Sequence, residues 1–111
     1  MKRGELYLAA AGSGYAGKPR PVLIIQDDAL ANLDSVVVCP LSSASPVREP
    51  LRIGLPATGL TGLDSDSVIM VDKVSAIPRS KIGPRIGVVD RPVLRSVTRG
   101  LATLLGFAQS V

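Results

Sequence analysis

The stretch Gly17-Lys18-Pro19-Arg20-Pro21-Val22-Leu23-Ile24-Ile25-Gln26 places a cation directly before an apolar run. The four residues Val22–Ile25, bounded by turn residues, predict a buried strand. Proline fixes its own φ and biases the preceding residue toward extended backbone, so Pro19 and Pro21 hold Arg20 on a stiff segment. A guanidinium aimed in this way at a strand entrance suits a phosphate or a carboxylate. The alternative is a surface arginine whose stem lies along the sheet edge.

Composition and charge narrow the classes of partner. The 111 residues are expected to form one domain, 1–111, and they are 46% hydrophobic but only 3% aromatic. So few rings argue against a single-strand binder that stacks bases on aromatic side chains. The net charge of +4 favours an anionic partner.

The chain has no histidine and a single cysteine, Cys39, which the sequence predicts to be a small core residue. A single cysteine excludes an internal disulfide and a zinc site built from several thiolates. The absence of histidine removes the commonest general base and the commonest metal ligand. Any chemistry therefore has to use Arg, Lys, Asp, Glu, Ser, Thr or Tyr, and we expect no cofactor and no metal.

No targeting or membrane segment is evident in the sequence. Met1-Lys2-Arg3 is basic, but Glu5 and the later glycines interrupt the apolar stretch that follows. A membrane-spanning helix needs about 20 consecutive apolar residues, and no run approaches that length. We therefore expect a soluble cytoplasmic protein without a membrane partner.

Short β-type segments separated by turns dominate the chain before Asp90. Strands are predicted over 6–10, 21–26, 35–39 (ending at Pro40), 49–53, 67–71 and 74–78, with a break at Gly83-Pro84 before a last apolar segment, 86–89. No βαβ alternation is present, so the sheet should be antiparallel and strongly curved. The predicted class is α+β, mainly β.

One long helix is predicted from Arg91 to about Ala108, capped by Asp90. Its apolar face comprises Leu94, Val97, Leu101, Leu104, Leu105 and Ala108. A basic ridge on the other side, Arg91, Arg95 and Arg99, is either a solvated face or a partner surface. Gly100 lies within the helix and predicts a close packing contact there.

Four segments, in this order and spacing, resemble the MazF/PemK/Kid toxins of bacterial toxin–antitoxin modules. They are Met1–Tyr7, Lys18–Asp28, Val38–Ser43 and Ser67–Val74. The resemblance implies an SH3-like curved antiparallel barrel (CcdB/PemK-like) with a C-terminal helix, and a homodimer. It also implies sequence-specific, metal-independent cleavage of single-stranded RNA, inhibited by a cognate antitoxin whose acidic, disordered tail lies across the toxin.

The resemblance also assigns roles to residues. Arg20 and Ser42 match the family's catalytic pair, with serine in place of the commoner threonine. The hydroxyl is kept, but without β-branching its rotamer should be looser. Asp72 matches an acidic residue after the fourth strand, and Met70 occupies a position where some members carry a second arginine. From the residues alone, composition favours an ordinary Ser-rich loop for the segment after Pro40.

A metal-free cleavage would use the RNA's own 2′-hydroxyl as the nucleophile and would leave a 2′,3′-cyclic phosphate and a 5′-hydroxyl. Arg20 can stabilise the negative charge of the phosphorane by donating two charge-assisted hydrogen bonds to its oxygens, and Ser42 can donate a further one. The base is left open among Asp72, Arg20 and water. Loop-lined pockets should hold splayed bases, and the predicted substrate-binding residues are Gly14, Tyr15, Lys18, Ser43, Arg79, Lys81 and Arg85. The Gly-rich loop 11–17 is expected to cover the substrate.

Two other functions are compatible with the same fold. One is a CcdB-like poison that binds DNA gyrase, a class in which the C-terminal end of the helix acts and aromatic termini are typical. The other is a small RNA-binding barrel without catalysis. The first is weakly matched by the end of this chain, Phe107 to Val111.

Overall fold

The computed structural model of this protein describes residues 1–10 and 18–107. These residues form seven strands, one α-helix and three short 3-10 turns. The strands are β1 (Glu5–Ala10), β2 (Pro19–Ile24), β3 (Ser35–Ser42), β4 (Arg52–Leu55), β5 (Ser67–Met70), β6 (Ser75–Pro78) and β7 (Ile82–Val88). The helix is α1 (Arg91–Leu104), and the turns are Asp28–Leu30, Val71–Lys73 and Arg79–Lys81.

The strands form one antiparallel sheet in the order β4-β5-β3-β2-β1-β7, with β6 paired to β3. β3 is central because its first half pairs with β6 and its end pairs with β5. The interruption between these two partners falls at Cys39-Pro40, where the turn Val71–Lys73 leads from β5 to β6. A mainly antiparallel β fold with one C-terminal helix confirms the predicted class.

Alternate residues of the strands build two separate apolar clusters. One, which we call the core face, includes Leu6, Leu23, Cys39, Ile69 and Val97, so it lies between the sheet and α1. The other, which we call the open face, comprises Ala9, Val22, Ile24, Val36 and Val38, with Tyr7, Ile77 and Ile82 packed against it. The period of two in side-chain direction explains why neighbours such as Val22 and Leu23 belong to different clusters.

The helix begins as the sequence predicts. Asp90 accepts a hydrogen bond from the Val93 N–H at 3.0 Å, and Pro92 lies in the first turn. Val97 is fully buried against the sheet. A side chain at Gly100 would place its Cβ 2.5 Å from the Pro50 carbonyl oxygen, which confirms the expected close contact.

The end of the helix differs from the prediction. α1 stops at Leu104, and Gly106 with φ +83° ends it in the left-handed conformation that glycine adopts readily. Leu104 and Leu105 are 37% and 56% exposed, so the last part of the predicted apolar face is not covered by the rest of the described chain. Ala108 lies outside the described residues.

Three strand predictions were also wrong. β3 continues through Pro40 to Ser42, because Pro40 lies where β3 has no partner on the β5–β6 side. β4 begins at Arg52, since the backbones of Arg48 and Arg52 close a turn over 49–51 with mutual hydrogen bonds of 2.8 and 2.9 Å. β7 runs through Gly83-Pro84, because the register shift between Tyr7 and Ala9 of its neighbour absorbs the proline at the edge of the sheet.

The described chain contains no helix with the length and apolar character that crossing a bilayer requires.

Candidate active site

A cavity of about 500 Å³ lies on the open face of the sheet. Its polar lining residues include Arg20, Ser42, Lys73 and Ser75, and its apolar wall includes Val22, Val38 and Ile77. Among the described residues that line it, none is acidic. The cavity therefore combines cations and hydroxyls above an apolar floor, which suits an anionic ligand with planar or apolar groups.

Strand register brings Arg20 and Ser42 together although 22 positions separate them in the sequence. β2 and β3 pair antiparallel with Val22 opposite Pro40. Two residues further, toward the start of β2 and the end of β3, lie Arg20 and Ser42, on the same face as that pair. Both side chains line the cavity, so the structure brings the predicted catalytic pair into one site.

Ser42 is half-buried at the end of β3. Its Oγ accepts a hydrogen bond from the Ala44 N–H at 3.1 Å. This contact holds the oxygen where β3 ends and the following loop begins, and it leaves the hydroxyl proton available for donation. Ser42 can therefore donate to an anion in the cavity, as the sequence predicts.

Lys73 is a lining residue that the sequence analysis missed. It ends the turn Val71–Lys73 and is exposed on the cavity side of that turn. β6 follows at Ser75, which lies opposite Val38 of β3. Lys73, Ser75 and Ile77 alternate in the sequence, but Lys73 lies in a turn and not in β6, so strand periodicity alone did not indicate which side it faces.

Asp72, the neighbour of Lys73, is held by Arg52 of β4. Nε and Nη2 of Arg52 donate to Oδ1 and Oδ2 of Asp72 at 2.7 and 2.9 Å, and Nη1 donates to Ser45 Oγ at 2.5 Å. The hydrogen bond from Arg52 lowers the pKa of the Asp72 carboxyl. Asp72 lines a different cavity, together with Arg48, Glu49 and Arg52, and not the one that contains Arg20.

The remaining predicted site residues lie around this centre. Lys18 is exposed, one residue before β2, and Ser43 borders a separate groove beside Ser45. Arg79 donates to the carbonyl oxygens of Ala31 and Leu33 and so fastens the turn after β6 to the segment before β3. Lys81 is exposed in the same turn. Gly14 and Tyr15, with the rest of the loop 11–17, lie outside the described residues.

Arg85 forms an ion pair with Glu5, with 2.9 Å between Nε and Oε2. Burial raises the pKa of the Glu5 carboxyl, but hydrogen bonds from the Lys2 N–H, the Tyr7 hydroxyl and Arg85 outweigh that effect and lower it. Arg85 therefore links the edge strand β7 to its neighbour β1.

Two observations concern other chemistry. Burial, and to a lesser extent the charge of Asp72, raises the pKa of the Cys39 thiol to about 12, which makes this thiol inert and agrees with its predicted place in the core. No group of three or more potential metal ligands occurs within 1–10 and 18–107.

A model of the PemK-like, MazF-like toxins of type II toxin–antitoxin systems matches residues 2–105. The chain belongs to this family. A protein named probable endoribonuclease MazF, from Mycolicibacterium smegmatis, is 43% identical over 108 residues, which are 97% of this chain and 99% of that protein.

Solved structures of MazF proteins share the fold. A mycobacterial endoribonuclease in complex with its cognate antitoxin superposes with a TM-score of 0.77 at 22% identity, covering 96% of this chain and 95% of that one. The Mycobacterium tuberculosis toxin MazF-mt6 gives 0.77 at 21% identity, covering 92% and 96%. MazE–MazF from Deinococcus radiodurans gives 0.73 at 22% identity, covering 95% and 93%. These structures confirm the fold, and the family model and the 43% identical relative confirm the predicted family.

Proposed function

We propose that this chain is the toxin of a type II toxin–antitoxin module and that it cleaves single-stranded RNA, mRNA included, at specific sequences. The observation that carries the proposal is the joint placement of Arg20 and Ser42 in the cavity of the open face. The 43% identity to a protein named as a probable endoribonuclease supports the same activity.

In the proposed reaction the RNA's 2′-oxygen attacks the adjacent phosphorus, the bond to the 5′-oxygen breaks, and the products are a 2′,3′-cyclic phosphate and a 5′-hydroxyl. One proton leaves the 2′-hydroxyl and one is delivered to the 5′-oxygen. Arg20 donates two charge-assisted hydrogen bonds to the phosphorane oxygens, and the Ser42 hydroxyl donates another. In this scheme Arg20 and Ser42 stabilise the negative charge of the transition state without a metal or a cofactor.

The geometry argues against Asp72 as the base that removes the 2′-proton. Both of its oxygens accept hydrogen bonds from Arg52, and a lowered pKa makes a carboxylate a weaker base. We therefore assign Asp72 a positioning role, which leaves Arg20 or solvent to accept the proton. An arginine side chain is suited to stabilising negative charge rather than to removing protons.

RNA on either side of the scissile phosphate would contact the rim of the cavity. Lys18 and Ser43 are close in sequence to Arg20 and Ser42, and they remain our predicted contacts. Gly14 and Tyr15 of the loop 11–17 also remain predicted contacts. Arg79, Lys81 and Arg85 stay predictions as more distant contacts, although Arg79 and Arg85 also have partners within the protein.

We also propose a homodimer, a cytoplasmic location and inhibition by a cognate antitoxin with an acidic, disordered tail. A second copy would cover apolar side chains that are exposed near the end of α1, such as Leu104 and Leu105. The net charge of +4 favours an acidic tail. Sedimentation of the purified protein should give the mass of two chains.

Purified protein should be incubated with a long single-stranded transcript, with and without EDTA, and the new ends should be mapped. We expect discrete fragments in both conditions, 5′-hydroxyl ends that a kinase labels directly, and cyclic phosphates. Activity lost to EDTA would overturn the metal-free scheme. Intact RNA with salt-dependent binding would indicate a non-catalytic binder, and loss of gyrase supercoiling instead would indicate a gyrase poison.

A further inference from the structure

We infer that Lys73 is a second phosphate-binding cation of the cavity and that the Arg52–Asp72 ion pair positions it. This inference rests on the proposed function. It adds one catalytic residue, Lys73, and two positioning residues to the pair Arg20 and Ser42.

The cavity geometry places Lys73 across β3 from Arg20. β2 lies on one side of β3 with Val22 opposite Pro40, and β6 lies on the other side with Ser75 opposite Val38. Lys73 precedes Ser75 by two residues, so it approaches the Pro40 end of β3 from the β6 side. Arg20 lies near the same end of β3 on the β2 side, and Ser42 is the last residue of β3. A phosphate that contacts Ser42 would therefore lie between the two cations.

Contacts on the far side of the turn fix the backbone that carries Lys73. Arg52 donates two hydrogen bonds to the Asp72 carboxylate and one to Ser45 Oγ in the loop after Ser42. The neighbouring Val71 is fully buried, and its N–H donates to the Leu51 carbonyl at 2.9 Å. One arginine thus ties the turn before β6 to the loop that leaves Ser42, so the positions of Lys73 and Ser42 are coupled.

The charge of the transition state explains why a second cation is useful. A phosphorane formed from an RNA phosphodiester carries more negative charge on its non-bridging oxygens than the substrate does. A guanidinium recognises two oxygens through its planar fork, whereas a lysine ammonium is a compact charge with three rotatable donors. Lys73 can therefore stabilise an oxygen that Arg20 does not reach, and its effect should grow between the ground state and the transition state.

The first test compares Lys73→Met with Lys2→Met in single-turnover cleavage of a short RNA that spans a mapped site. Lys2 is exposed, precedes β1 and is not a lining residue of the cavity, so its loss controls for the change in net charge. We expect Lys73→Met to lower the rate at saturating protein on the order of 10²-fold with an unchanged melting temperature. Lys73→Arg should recover part of the rate, and Lys2→Met should cleave as the wild type does.

The second test is a double-mutant cycle that separates positioning from base catalysis. If Asp72 acts through Lys73, Asp72→Asn should slow the wild type but should change the Lys73→Met rate by less than about twofold. The pH–rate profile should have the same shape in Asp72→Asn as in the wild type, because the Asp72 carboxylate is not the group that accepts the proton.

The outcomes are distinguishable. A wild type that leaves RNA intact overturns the proposed function and this inference with it. A wild type that cleaves, together with a Lys73→Met variant of equal rate, overturns only the inference about Lys73. An equal loss in Lys2→Met would show a general charge effect, and a full loss from Asp72→Asn in the Lys73→Met background would return Asp72 to the role of base.

Discussion

The two faces of the sheet are built from alternate residues of the same strands, yet they differ in what covers them. α1 packs on the core face, where Leu6, Leu23 and Val97 are fully buried. The open face has a smaller apolar cluster and carries the cavity with Arg20, Ser42 and Lys73. One face thus stabilises the fold, and the other presents polar groups on a rigid floor. Strands hold such groups more rigidly than loops can.

Arginines line cavities on both sides of the molecule, but the residues around them differ. Arg3, Arg91 and Arg95 border a shallow cleft of about 230 Å³ along α1, where Arg3 donates to the Thr98 hydroxyl at 2.6 Å. Arg20 borders a larger cavity with a second cation and two serine hydroxyls. Charge alone therefore does not distinguish the candidate active site. The combination of cations, hydroxyls and a concave apolar wall does.

The largest expected effect is on catalysis at the open face. Arg20→Ala should lower the cleavage rate by about 10³-fold, because it removes two charge-assisted donors from the phosphorane. Arg95→Ala removes the same charge from the helix side and should leave the rate unchanged. Single-turnover cleavage, with melting temperature and mass as controls, measures both. Equal rates for the two variants would remove Arg20 from the mechanism.

The core face should dominate stability. Leu23→Ala, at a fully buried site, should lower the free energy of unfolding by about 2–5 kcal/mol. Ile77→Ala deletes the same number of carbon atoms from the partly buried wall of the cavity and should cost less. Denaturant unfolding at one fixed protein concentration gives both values, since a dimer's stability depends on concentration. If Ile77→Ala proves as costly as Leu23→Ala, the two faces do not differ as described.

A smaller catalytic effect is expected at Ser42. Ser42→Ala should slow cleavage on the order of 10²-fold by removing one donor to the phosphorane. Ser42→Thr keeps the hydroxyl and adds the β-branch that restricts its rotamer, so it should cleave at least as fast as the wild type. The comparison of these two rates is the measurement. A slow threonine variant would show that the added methyl group does not fit the cavity.

The smallest effect concerns the ion pair beside the cavity. The pKa of Asp72 is lowered in the fold, so its contribution to stability is present above the usual carboxyl value of about 3.9 and is lost as the pH falls through the lower folded value. Melting temperatures of wild type and Asp72→Asn should therefore differ at neutral pH and converge in acid. Asp64→Asn, at an exposed turn position, is the matched control. A difference that persists unchanged at the lowest pH would contradict this account.

Much of the open face could be predicted from the sequence. Two prolines around an arginine, followed by an apolar run, predicted a strand at β2, and the resemblance to known toxins paired Arg20 with Ser42. The predicted bounds, 21–26, were two residues late, so Arg20 lies inside β2 and not before it. The predicted end of β3 at Pro40 was wrong because a proline is tolerated where one side of a strand has no partner. That error concealed the fact that Ser42 belongs to the strand and not to a loop.

Contacts between distant residues were the part that the sequence could not supply. Arg52 and Asp72 lie 20 positions apart, and neither local pattern indicates that they form an ion pair. Without that pair, Asp72 looked like a free carboxylate suited to base catalysis. Lys73 was missed for a related reason, since its side depends on the turn that separates β5 from β6.

The most direct test of the account is an NMR titration with an RNA that carries a 2′-deoxy nucleotide at the cleavage site and so cannot react. We predict that the largest amide shifts occur at Arg20, Ser42 and Lys73 on the open face. Shifts concentrated instead at Arg3, Arg95 and Thr98, on the side of α1, would contradict it.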